Sequence, residues 1–128
     1  MEHLDQQIAD TIDVLQQCHA ICSSMAMTHC LEMGGEHARP QHLRLMLDCA
    51  GLCAFTADAL GRESQFTGSF AALCADVCEI CEKDCEALGD MEECVEACSA
   101  CVAHCRQIAR VNRPEIPAAA AAMPPAGH

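Results

Sequence analysis

Tryptophan and tyrosine are absent, and only three phenylalanines occur in 128 residues. No window alternates apolar and polar residues as a half-buried strand requires, so a sheet-based fold is excluded at the outset. Basic residues are scarce too, seven against nineteen acidic, for a net charge of −12. Nucleic-acid binding needs a basic surface, which this balance excludes; the negative charge serves solubility. No apolar run is long enough to span a membrane, and neither a secretory nor a twin-arginine leader is expected. No paired acid–base set, nucleotide loop or substrate-pocket signature points to an enzyme. Leucine, isoleucine, valine and phenylalanine are modest in number.

Sulfur fills the deficit. There are thirteen cysteines, and most of them follow a mirror pattern. Cys74, Cys78, Cys81 and Cys85 step by 4, 3 and 4, and Cys94, Cys98, Cys101 and Cys105 repeat those steps. Such steps keep side chains on one helical face. The mirror pairs Cys74 with Cys105, Cys78 with Cys101, Cys81 with Cys98 and Cys85 with Cys94, about a midpoint at Gly89-Asp90. The N-terminal half carries the same spacing with substitutions: Cys18, Cys22, Met25 and His29, then His42, Met46, Cys49 and Cys53, mirrored about Gly35-Glu36. A third mirror at Glu63-Ser64 relates the two halves, placing Cys53 level with Cys74 and Cys49 level with Cys78.

The pattern predicts an all-α fold: four antiparallel helices at Asp5–Met33, Pro40–Leu60, Ser64–Leu88 and Met91–Val111 in an up-down-up-down bundle. Gly34-Gly35 ends the first, Pro40 suits an early position in the second, and Gly61 follows it. Ser64 is the expected cap of the third, and Asp90 with Glu93 a capping-box-like start to the fourth. Residues 1–112 form the expected bundle domain, and 113–128 a Pro/Ala-rich disordered tail.

Stacking this register predicts four interior layers: Cys18, Cys53, Cys74 and Cys105; Cys22, Cys49, Cys78 and Cys101; Met25, Met46, Cys81 and Cys98; His29, His42, Cys85 and Cys94. Val14, Ala57, Phe70 and Ala109, with Leu60, Phe66 and Ile108 nearby, plug one end. Cys30, Met33 and Met91, beside Glu32 and Arg39, mark an open mouth at the other. His19 and His104 are expected off the axis, His37 on the surface, and the acidic run through Glu79, Glu82 and Glu86 on a solvated face.

Thiolate, thioether and imidazole form a soft donor set that selects Cu(I) over hard cations. Zinc sites usually gather four ligands with cysteine pairs on loops, whereas these thiols run along whole helices. A disulfide scaffold fits poorly with an odd cysteine count. The CxxC pairs Cys78/Cys81 and Cys98/Cys101 follow no strand, so a thioredoxin-like role is the weaker reading. A thiol redox protein and a zinc or iron–sulfur carrier remain the alternatives. Many unpaired thiols favour a reducing, cytoplasmic setting.

The segments CADVCEICEKDC, CVEACSACVAHC, CHAIC and DCAGLC together resemble the bacterial copper storage proteins over residues 5–111. The resemblance implies a cysteine-lined bundle binding many Cu(I) ions and assembling as a homotetramer. It implies thiolate ligation at Cys18, Cys22, Cys30, Cys49, Cys53, Cys74, Cys78, Cys81, Cys85, Cys94, Cys98, Cys101 and Cys105, with Met25, Met46, His29 and His42 at the metal-admitting end.

Overall fold

A computed structural model describes residues 2–111. Five α-helices occur in order: α1 (Glu2–Met27), α2 (His29–Met33), α3 (Pro40–Gly61), α4 (Thr67–Leu88) and α5 (Glu92–Val111), with a 3-10 turn at Gly35–Ala38. The four long helices form a square bundle in which α1 packs on α3 and α5, and α4 on α3 and α5. No strand occurs among the described residues. The tail expected at 113–128 lies outside them.

The apolar periodicity dictates this arrangement, because a cysteine stripe on each long helix must leave water. All thirteen cysteines are buried and unpaired by disulfides. Ile21, Leu45, Leu52, Val77, Val95 and Val102 pack beside the stripe at helix–helix seams. Ile80, expected with them, is instead 58 % exposed. At the plugged end the buried groups include Leu15, Ala57, Leu60, Ile108 and Ala109 with Thr11. Leu15 takes the place expected for Val14, which is only partly buried. Phe66 is exposed, and Phe70 lies against Phe55 with ring centroids 4.9 Å apart. Aromatic rings are too bulky for a channel sized for thiols, so small and aliphatic residues close it.

The ends of the helices depart from expectation in three places. The first helix breaks at Thr28, whose φ of −119° and ψ of −82° are not helical. The Thr28 hydroxyl donates to Ser24 O at 2.8 Å, the back-bonding that bends helices at threonine. Helix α4 starts at Thr67 rather than Ser64. Ser64 Oγ accepts from Phe66 N–H at 3.1 Å and so caps the preceding turn instead. Gly89 and Asp90 make the α4–α5 turn with φ of 80° and 55°. Asp90 therefore lies in the left-handed region, which aspartate tolerates, and is not the box-forming cap.

Candidate metal centre

The α4–α5 hairpin places its thiols as the mirror requires: Cys74 faces Cys105, Cys78 faces Cys101, Cys81 faces Cys98 and Cys85 faces Cys94. Across α3 and α4, Cys53 lies 3.8 Å from Cys74 and Cys49 lies 3.5 Å from Cys78, Sγ to Sγ. Across α1 and α3, Cys18 interacts with Cys53 and Cys22 with Cys49.

The closing pair is different. Cys18 and Cys22 both meet Cys98, at 3.9 and 3.8 Å, and Met25 Sδ meets Cys94 at 3.4 Å. Helix α5 is thus displaced by one cysteine step against α1 from the expected level pairing with Cys105, Cys101 and Cys98. No turn joins α1 to α5, and bundle helices cross at about 20°, so the offset accumulated around the square appears at this seam. The flat layers become a staircase.

At its centre the Sγ atoms of Cys18, Cys49, Cys53 and Cys78 lie within 4.8 Å of one another, as do those of Cys18, Cys22, Cys49 and Cys98. The two quartets share Cys18 and Cys49, so six thiols make both. A tetrahedral zinc site with Zn–S near 2.3 Å needs sulfurs about 3.8 Å apart, and in each quartet the sulfurs lie within 4.8 Å of one another. Two such ions would need eight ligands, and sharing forces bridging thiolates. Bridging suits a low-coordinate soft ion better than two closed zinc sites.

The thiols also differ in acidity. Hydrogen bonds from Cys101, then Cys22 and Cys49, hold Cys18 well below the ordinary thiol range. Cys53 and Cys78 are pushed up, each by its contact with Cys101 and then with Cys18. Contact with Cys81 and then Cys94 brings Cys85 down to about 4. Burial first, then the nearby Cys85 and Cys22, pushes Cys30 up to about 11.

At the opposite end from the plug, the break at Thr28 turns Cys30 inward in the place expected for His29. Cys30 is fully buried, and its Sγ lies 3.5 Å from His42 Nε2 and 3.7 Å from both Met46 Sδ and Met91 Sδ. His42 is also fully buried, with Nδ1 2.6 Å from Asp84 Oδ2. His29 lies off the tube, its Nε2 donating to Asp90 O at 2.7 Å. His37, expected on the surface, is buried and donates through Nε2 to Gly89 O at 2.9 Å. These two bonds clasp the α1–α3 connection onto the α4–α5 turn, so the expected open mouth is covered. Met33 points to solvent at 49 % exposure. A surface cleft of about 340 Å³ has Cys85 and Met91 in its wall and Glu86, Asp90, Glu92 and Glu96 around it.

His19 Nδ1 lies 3.0 Å from Ala50 O, and His104 Nδ1 lies 3.3 Å from Thr11 Oγ1, both away from the sulfur column. Glu79 pairs with Arg106 and Lys83 on the outside. The sequence reading missed Asp84, whose only signal was a carboxylate next to Cys85 on the flank of the stripe.

A family described as copper storage protein matches residues 4–110. An uncharacterised cysteine-rich protein of Bacillus subtilis, YhjQ, is 32 % identical over 108 residues, covering 83 % of this chain and 99 % of the relative. The crystal structure of the Nmul_A1745 protein from Nitrosospira multiformis superposes with a TM-score of 0.81 at 42 % identity, covering 84 % of this chain and 98 % of that one. The Cu(I)-bound copper storage protein BsCsp3 superposes with a TM-score of 0.73 at 32 % identity, over 80 % of this chain and 98 % of its own.

Proposed function

The chain belongs to the copper storage protein family, and from that premise we propose that it takes up and holds multiple Cu(I) ions on the thiolates of its bundle interior. The family stores metal rather than catalysing a reaction. The observation that carries the reading is the pair of thiol quartets sharing Cys18 and Cys49 within a continuous column of sulfur. Neighbouring Sγ atoms in that column stand 3.5–3.9 Å apart, close enough for an ion to exchange one thiolate for the next without leaving the protein. Each thiol engaged must release its proton, so retention weakens on acidification.

Copper is admitted at the end that carries Cys30, His42, Met46 and Met91, and Met25 joins Cys94 one step further in. The imidazole and thioether donors there bind Cu(I) more loosely than the thiolates beyond them, which draws ions inward. His29 is assigned to the clasp and not to the ligand set. Leu47, Phe55, Leu73 and Ile80 are 41–58 % exposed on α3 and α4, and we assign them to contacts within a homotetramer. No helix among the described residues is long and apolar enough to cross a membrane. Thirteen free thiols fit a reducing cytoplasmic setting.

Anaerobic titration of the reduced protein with Cu(I) against a competing chelator tests this. Retention of many ions per chain, with helicity unchanged, is expected. Tight uptake of only one or two ions overturns it. Retention of zinc in preference to Cu(I) returns the reading to a zinc carrier.

A further inference from the structure

Among the residues at the admitting end, one carboxylate is placed where no storage ligand is needed. Asp84 sits on α4 between Glu-rich surface and the buried tube, 24 % exposed. Its Oδ2 lies 2.6 Å from Nδ1 of the fully buried His42, and its Oδ1 accepts from Arg39 Nη2 at 3.2 Å. A carboxylate only accepts, so His42 donates Nδ1–H to it. In the neutral ring the lone pair is then on Nε2, which faces Cys30 Sγ, itself in contact with the sulfurs of Met46 and Met91.

Resting on the storage reading above, we propose that Asp84 is a positioning residue for copper admission. It fixes the His42 tautomer and ring so that Nε2, and never Nδ1, meets the incoming Cu(I) beside Cys30. The other carboxylate oxygen is taken by Arg39, which also donates to Glu36 at 3.1 Å and so ties α4 to the start of α3 independently of the imidazole. A histidine that binds metal through one nitrogen is ordinarily held through the other by such a carboxylate, and loss of that partner costs about 10–100-fold in metal affinity or activity. The purely structural alternative is that Asp84 exists only to tie α4 to α3 through Arg39.

The two roles separate by experiment. Imidazole nitrogen shifts of His42 are measured by NMR on the metal-free, reduced full chain, and Cu(I) uptake by stopped-flow ultraviolet absorbance. The unaltered protein is expected to show Nδ1–H. Asp84→Ala mixes or reverses the tautomer and slows uptake about 10-fold, with the final copper content unchanged. Asp84→Asn keeps an acceptor for Nδ1–H, should fold even where the alanine variant does not, and restores most of the rate. Arg39→Gln breaks the helix tie but leaves the Asp84–His42 bond, so it lowers the melting temperature without moving the tautomer or the uptake rate. An Nε2–H tautomer in the unaltered protein overturns the proposal, as does equal slowing by Arg39→Gln and Asp84→Ala, or uptake by both Asp84 variants at the unaltered rate. Low copper capacity in the unaltered protein overturns the storage reading instead, and the tautomer result then decides the action of Asp84 on His42 by itself.

Discussion

The two hairpins of this bundle carry the same ligand spacing and treat it differently. The α4–α5 hairpin is all thiol, turns within Gly89 and Asp90, and keeps its cysteines level from Cys74 and Cys105 to Cys85 and Cys94. The α1–α3 hairpin holds that register only at Cys18 with Cys53 and Cys22 with Cys49. Beyond Met25 it leaves the helical phase and brings in Cys30, His42 and Met46. One hairpin is therefore a comb of thiols, and the other a comb whose last teeth have been reset to thiol, imidazole and thioether. On the proposed reading both hairpins supply storage thiols, and the first alone adds the admitting end.

The sharpest way to break that division is at the thiols both quartets share. Replacing Cys18 and Cys49 together by serine removes both quartets, and copper retained against a chelator, read by metal analysis, should fall by clearly more than two ions. A pair taken from one hairpin only, Cys74 and Cys105, should cost no more than the ions those two thiols hold. Copper loading itself comes next. At free Cu(I) about 1,000 times the dissociation constant, binding to the folded state adds about 4 kcal/mol, seen as a higher melting temperature that chelation reverses. Hydrogen exchange on the same samples should show protection gained along α4 and α5 and little at α2.

A smaller effect is expected at the clasp. His37→Ala removes the bond to Gly89 O and should cost about 1 kcal/mol, a typical net hydrogen bond. It should also speed labelling of Cys30 by a thiol reagent without speeding labelling of Cys74. The smallest effect belongs to the exterior. Glu79→Gln, which breaks exposed pairs with Arg106 and Lys83 on α4, should leave both melting temperature and copper content unchanged.

The periodic part of this molecule was legible from the chain alone. Steps of 4, 3 and 4 can be satisfied by only one helical phase, and glycine at the turns fixes which helices are antiparallel, so the α4–α5 pairing followed directly. The register of α5 against α1 was not legible, because no turn connects them and small tilts add up around the bundle. Cys30 in place of His29 was hidden by the break at Thr28, since threonine with its local bond to Ser24 O is equally compatible with an unbroken helix. Asp84 was hidden by composition: in so acidic a chain, one more carboxylate beside a cysteine stripe reads as solvated surface, and only the facing His42 from α3 distinguishes it.

The break at Thr28 has a consequence for how such a protein can change over generations. The chain leaves its helical phase there and regains it at Pro40, so an insertion or deletion between those points shifts no thiol from Cys18 to Cys22 or from Cys49 to Cys53. Inside a long helix a single added residue would rotate every following cysteine of that helix by about 100° and scatter its part of the column. The connection from 28 to 39 is thus a segment whose length can change without moving the stripe thiols, as long as Cys30 and the two clasping histidines keep their places. On the proposed reading, changes there act on metal admission more than on the thiol column.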